Sequence, residues 1–209
     1  MLVYLVLGAT YAFAAAVQPG PIQAYLVSQA LSHGWRRTIP AAFSPLVSDG
    51  PIIVLVLLVL ARVPASMITI LRGVGGIFVL YLAWLALRTW RHFDVARPGS
   101  APSGRQNLAR ATLVNLLNPG PYLGWSLVMG PLLIKGWREA PSHGIALIAA
   151  FYTTMVVTQI GIVMLFATAR GLGARINRVL VGVSAAALAA FGVYQLASCM
   201  AALRPLVGR

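Results

Sequence analysis

The first charged side chain in the sequence is Arg36. Everything before it is uncharged and mostly apolar. At ~1.5 Å per helical residue, that length exceeds the ~30 Å hydrocarbon core of a bilayer. The first segment, 2–31, therefore reads as a transmembrane span, with one strong interruption at Gln18-Pro19-Gly20-Pro21. Further apolar runs follow at about 39–61, 67–90, 108–134, 142–169 and 176–202. The expected fold is an all-α integral membrane protein of six transmembrane helices.

Composition leaves little else. Of 209 residues, 59% are hydrophobic and 9% are charged, against ~25% charged in a typical soluble domain. No stretch is left for a sizeable soluble domain. The formal net charge is +13, which in a soluble protein would suggest nucleic acid. Here the basic residues cluster at the ends of apolar runs, where they orient helices and face lipid headgroups. The expected partners are the lipid bilayer and a small-molecule substrate, with no nucleic acid; a homo-oligomer stays open. Cys199 is the single cysteine, so an intrachain disulfide and a cysteine metal cage are both excluded. Ala12-Phe13-Ala14 mimics a signal-peptide cleavage site but lacks a basic region before it, so the first segment is expected to stay as a permanent span.

The loops divide the basic residues unevenly. Arg36, Arg37, Arg88, Arg91, Arg97, Arg105, Arg110, Arg170, Arg175 and Arg178 fall on one side; Arg62, Arg72, Lys135, Arg138, Arg204 and Arg209 fall on the other. The richer side is expected to be cytoplasmic, with both termini outside.

The chain also repeats itself. Asn118-Pro119-Gly120-Pro121 answers Gln18-Pro19-Gly20-Pro21, and Gly136-Trp137-Arg138 answers Gly34-Trp35-Arg36. In the third spans, Leu180-Val181-Gly182-Val183-Ser184-Ala185 answers Leu71-Arg72-Gly73-Val74-Gly75-Gly76. A polar linker rich in Arg, Pro, Gly and Ser separates the halves. The expected organisation is one membrane domain: residues 1–90 as a first three-helix repeat, 91–107 as a flexible basic linker, and 108–209 as a second repeat. Three spans per half is an odd number, so the halves enter the membrane from opposite sides as an inverted 3+3 repeat.

Both Pro-Gly-Pro breaks fall inside apolar segments, where proline removes an N–H and costs roughly 3 kcal/mol in a helix interior. Proline suits the first position of a new helix. Half-helices are expected to start at Pro19, behind the weak cap Gln18, and at Pro119, behind the strong cap Asn118. Their N-termini carry partial positive charge near mid-membrane and suit a carboxylate. The bland alternative is a pair of packing kinks.

Asp49 is the sole acidic residue inside an expected span. An ionised carboxylate at mid-bilayer costs at least ~2.5–3.5 kcal/mol on insertion scales. It needs a partner, water, a proton or a cation. The functional reading is proton coupling or contact with a substrate ammonium; the structural alternative is a pair with Arg72 or a cap on a third break at Gly50-Pro51. Asn115, Thr153, Thr154 and Gln159 read singly as interhelical glue and together as a polar lining. Tyr81, Trp84, Trp125 and Tyr152 could wall a pocket, with packing or lipid contact as the default reading, and Gly73, Gly75, Gly76 and Ala185 to Ala187 read as sites of close helix packing. No paired carboxylates, catalytic relay, P-loop or metal motif is present, so neither an enzyme nor a cofactor is expected.

These residues resemble the LysE/RhtB family of amino-acid exporters. Pro19-Gly20-Pro21, Gly34 and Asp49 match its first-half signature, and Gly75 through Arg88 is similar to its third-span motif. Val114-Asn115-Leu116-Leu117-Asn118-Pro119 is similar to its Asn-Leu-Leu-Asn-Pro motif. The resemblance implies a proton-driven inner-membrane exporter of amino acids or similar zwitterionic metabolites. It points to Pro19, Gly20, Pro21, Asp49, Asn115, Asn118 and Pro119. Gln18 stands where the family usually has Ser, and Gly120-Pro121 where it usually has Lys-Ala, so Gln18 and Gly120 join the expected substrate-binding residues. Asp49 is the expected proton-coupling residue. The rival reading is a non-transporting accessory or scaffold for lipid or glycolipid export.

Overall fold

The computed structural model describes residues 1–58, 65–91, 102–169 and 174–207, and the described elements are all helical. In chain order they are α1 (Leu2–Val17), α2 (Pro21–His33), α3 (Trp35–Thr38), α4 (Ser44–Leu58), α5 (Ala65–Arg91), α6 (Gly104–Leu116), α7 (Pro119–Gly124), α8 (Gly130–Glu139), α9 (Pro141–Ala169) and α10 (Ala174–Val207). A 3₁₀ turn, Ile39–Phe43, joins α3 to α4, and a π turn, Trp125–Met129, joins α7 to α8.

Over its described residues each expected apolar segment is helical apart from the breaks at 18–20 and 117–118, but the boundaries differ in instructive ways. α6 begins at Gly104, not near 108, because Ser103 and Gln106 form a capping box. The Ser103 Oγ accepts from Gln106 N at 3.2 Å, and Gln106 Oε1 accepts from Ser103 N at 2.9 Å. The rest of the expected linker, 92–101, and the expected loops at 62–64 and 170–173 lie outside the described residues. The expected loop at Lys135 to Glu139 is instead the end of α8. Gly136 alone does not stop a helix, which runs on until Ala140 turns extended ahead of Pro141. The expected loop after the first span shrinks to Gly34, whose φ of 79° makes the turn. Pro51 sits inside α4 without breaking it, so the third break is not there. The irregular backbone of this segment lies two to three turns earlier, in the 3₁₀ turn that contains Pro40.

Among the described residues, three stretches are long and apolar enough to cross a membrane: Trp35–Val56, Pro141–Ala169 and Arg178–Ala202. α1 and α2 make a fourth if taken as one span bent by 64°. Large apolar side chains such as Val54, Leu127, Val157, Leu165 and Val183 face outward, as a multi-pass membrane protein requires.

Packing follows small residues. α1 runs along α9, and α5 along α10. A Cβ added at Gly8 would overlap the Leu147 carbonyl, so the α1 and α9 backbones meet there. Gly76 and Gly192 play the same part for α5 and α10: a Cβ on either would lie 3.0–3.1 Å from the carbonyl oxygen of the other. Cys199 packs against Gly73 at the same interface. α6 lies against α4 and the 3₁₀ turn before it. Two apolar clusters result, one around Tyr25, Leu26, Val79 and Leu188, the other around Ala12, Ile52, Trp125 and Phe151.

Candidate functional site

The first break is built from three residues between two helices. α1 ends at Val17, and Gln18 closes it through a backbone bond from its N to Ala14 O at 3.1 Å. Gly20 is the cap position of α2, and Pro21, not Pro19, is its first residue. Gln18 is thus the C-terminal cap of one helix and not the N-terminal cap of the next. The physical reason is local. A Gln carboxamide is one methylene longer than the Asn and Asp groups that favour N-caps, and Gln18 makes no such bond. The exposed carbonyls at the end of α1 are met by Gln23, whose Nε2 donates to Ala16 O at 3.0 Å and to Ala15 O at 3.4 Å. Gln23 was not singled out in the sequence; its signal was its place two residues after Pro21, in the first turn of α2.

The second break follows the expected rule. Asn118 is extended, its Oδ1 accepts from Gly120 N at 3.1 Å, and Pro119 opens α7. Tyr122 ties the two sides together by donating from Oη to Leu116 O at 2.8 Å. α7 then passes into the π turn at Trp125–Met129, just before Gly130-Pro131. Such turns re-aim side chains where a proline disturbs the ladder, and here Trp125 is turned toward Asp49.

Asp49 is 3% exposed. Its Oδ1 accepts from Asn115 Nδ2 at 3.2 Å and faces Ser48 Oγ at 3.4 Å. Its Oδ2 accepts from Trp125 Nε1 at 3.2 Å, with Tyr152 Oη at 3.5 Å. Asn115 also donates to Ser48 Oγ at 2.7 Å, and Ser48 donates to Ser44 O at 2.9 Å. These four donors are all uncharged. They disperse the charge of the carboxylate without cancelling it, which leaves the group able to receive a proton or a cation. Arg72 does not pair with it: among the described residues the single ion pair is His143 with Glu139 at 3.4 Å. Burying an unpaired carboxylate is costly in any membrane protein, and sites of this kind mark pathways for protons and substrates.

A cavity of about 400 Å³ joins these parts. Gln18, Pro19, Gly20 and Pro21 line it from the first break, and Asn118, Pro119 and Gly120 from the second, with Asp49 and Asn115 between. Both half-helix starts face one space that contains one acid. Arg72 and Gln159 line it too. Thr153 and Thr154 do not: α9 presents Phe151, Met155 and Gln159 at i, i+4 and i+8, which turns Thr153 outward. Trp84 is 54% exposed and Tyr81 is exposed, as expected of lipid-facing residues. Trp125 and Tyr152 depart from the default reading: both reach Asp49 as donors, and Trp125 walls the cavity. Their edge-on packing with Phe151, at ring distances of 5.6 and 5.0 Å, fixes both rings. Gln195 was missed in the sequence because it stands among the apolar residues of α10 with no charged or amide side chain at helical spacing to mark a site; it too lines the cavity.

A protein-family model described as LysE type translocator matches residues 13–198 of the chain. No curated protein and no solved structure matches it.

Proposed function

The chain belongs to the LysE type translocator family and so to a class of membrane transporters, and from that premise we propose that it is a secondary exporter of amino acids or similar small zwitterionic metabolites in a prokaryotic inner membrane. One observation carries the proposal: both helix breaks and Asp49 open on one cavity. The starts of α2 and α7 carry partial positive charge and suit a substrate carboxylate, and Asp49 suits either its ammonium or a proton. Gln18, Pro19, Gly20, Pro21, Asn115, Asn118, Pro119 and Gly120 are the proposed substrate-binding residues.

Transport proceeds by alternating access of two inverted repeats, 1–90 and 108–209, joined by a basic linker at 91–107, with both termini outside. The pairing of α1 with α9 and of α6 with α4, around a shared α5–α10 contact, supports this symmetry. Asp49 belongs to the first repeat, while Asn115, Trp125 and Tyr152 belong to the second. Movement of one repeat against the other therefore changes the donors around the carboxylate. A proton taken up on one side is released on the other as the substrate moves.

The test is thermal unfolding of the purified protein with a panel of amino acids. A specific ligand at ~100 times its Kd stabilises the fold by about 2.7 kcal/mol. A saturable rise in Tm with a zwitterionic amino acid, absent with its α-amide, which lacks the carboxylate, supports the reading. No rise across the panel contradicts it.

A further inference from the structure

The cavity also holds two glutamines from two helices, Gln159 of α9 and Gln195 of α10. They are 1% and 5% exposed, and the side-chain carbonyl oxygen of each is buried without a hydrogen-bond partner. The Gln159 amide nitrogen meets only Met155 Sδ, at 3.5 Å, a weak acceptor. Unmatched polar groups of this kind are disfavoured in a membrane interior unless something completes them. Gly75 makes the room for Gln195: a Cβ there would lie 2.9 Å from Gln195 Oε1 and would overlap the Leu117 carbonyl.

Gln159 stands apart from Asp49. Gln159 follows Tyr152, the Asp49 partner, by two turns of α9, about 10 Å along the axis at ~1.5 Å per residue. Arg72 lies one turn before Gly75 and lines the same cavity, and Asp49 is its single acid.

We infer that Gln159 and Gln195 form a side-chain subsite that takes an uncharged hydrogen-bond donor, an amide or a hydroxyl, on the exported amino acid. This rests on the amino-acid reading of the cavity. A cationic side chain would meet Arg72 and two helix N-termini with Asp49 already engaged, and would find no second acid. An apolar side chain would leave both carbonyls unpaired, and sites built to hydrogen-bond a group discriminate strongly against analogues that lack it.

The experiment uses the purified full chain in proteoliposomes loaded with equimolar glutamine, lysine and leucine, each with its own isotope. Efflux of the three is read from one sample. Glutamine leaves the wild-type vesicles at least about tenfold faster than lysine or leucine. Gln159→Met and Gln195→Met each lower the glutamine-to-leucine ratio about tenfold. The ratio is internal to each sample, so a poorly folding variant does not mimic the result, and if one variant fails to reconstitute the other decides. An unchanged ratio in the variants, or lysine leaving fastest from wild type, overturns the subsite while amino-acid export stands. No efflux of any of the three overturns both.

Discussion

Asn115 donates from Nδ2 to Asp49 Oδ1 at 3.2 Å, a hydrogen bond between residues 66 positions apart. It joins the helix that precedes the second break to the acid of the first half. The same amide nitrogen reaches Ser48 Oγ at 2.7 Å, so one side chain fastens two neighbouring residues of α4. Asn115→Leu removes both bonds and leaves the carboxylate one donor short. The loss of a hydrogen bond to a charged group is worth ~1.5–3 kcal/mol, and at ~2–4 °C per kcal/mol for a chain of this size the Tm in detergent is expected to fall by several degrees. An unchanged Tm would mean that the bond contributes nothing to the fold.

The two breaks differ in their caps, and the difference is measurable. Asn118→Ala deletes the bond to Gly120 N and is expected to destabilise by ~1 kcal/mol, within the ~0.5–2 kcal/mol range of N-cap losses. Gln18→Ala deletes no cap bond and is expected to move stability by less than ~0.5 kcal/mol. Equal losses in thermal melts of the two variants would contradict the assignment of Pro119 and Pro21 as the helix starts.

Some of this was legible in the sequence and some was not, for physical reasons. Asn118-Pro119 is a local signal: a short amide ahead of a proline caps a helix whatever surrounds it. Gln18-Pro19 looks like its twin, but the longer side chain moves the start to Pro21. The Ser103-to-Gln106 capping box was also local, yet the surrounding Pro, Gly and Ser masked it as linker. The aromatic partners of Asp49 were out of reach. Trp125 and Tyr152 lie 76 and 103 positions away in the chain, and an indole or phenol in an apolar run reads as lipid-facing until the fold turns it inward. Pro51 misled in the other direction. A helix can lose one N–H bond and continue, whereas Pro40, at the very start of the expected span, marked the 3₁₀ turn at Ile39–Phe43 and drew no notice there.

Helix packing sets a further contrast. Gly8→Ala drives a methyl into the Leu147 carbonyl where α1 meets α9, and overpacking of this kind costs typically ~1–3 kcal/mol. Gly161→Ala, also within a long helix, meets nothing within 4 Å and is expected to be neutral or to stabilise by up to ~1 kcal/mol. Thermal melts of the two alanine variants are expected to shift in opposite directions, or one down and one not at all.

Trp125→Phe isolates the indole N–H. The ring packing against Phe151 is kept, while the bond to Asp49 Oδ2 is lost. If the donors around Asp49 also steady the carboxylate during transport, the rate of substrate efflux falls about tenfold, the equivalent of ~1.4 kcal/mol, in addition to the fall of several degrees in Tm expected from losing a bond to the carboxylate. A fall in Tm without a change in rate would assign the indole to folding alone.

The central claim is that Asp49 couples export to protons, and gradient-driven efflux from proteoliposomes tests it most directly. Wild-type and Asp49→Asn proteins are reconstituted side by side, with folding checked by Tm. An inward proton gradient is then imposed on vesicles preloaded with substrate. The account predicts that the gradient accelerates efflux by the wild type and leaves the Asn variant, still folded, unaffected. A variant that keeps the wild-type response to the gradient would contradict it.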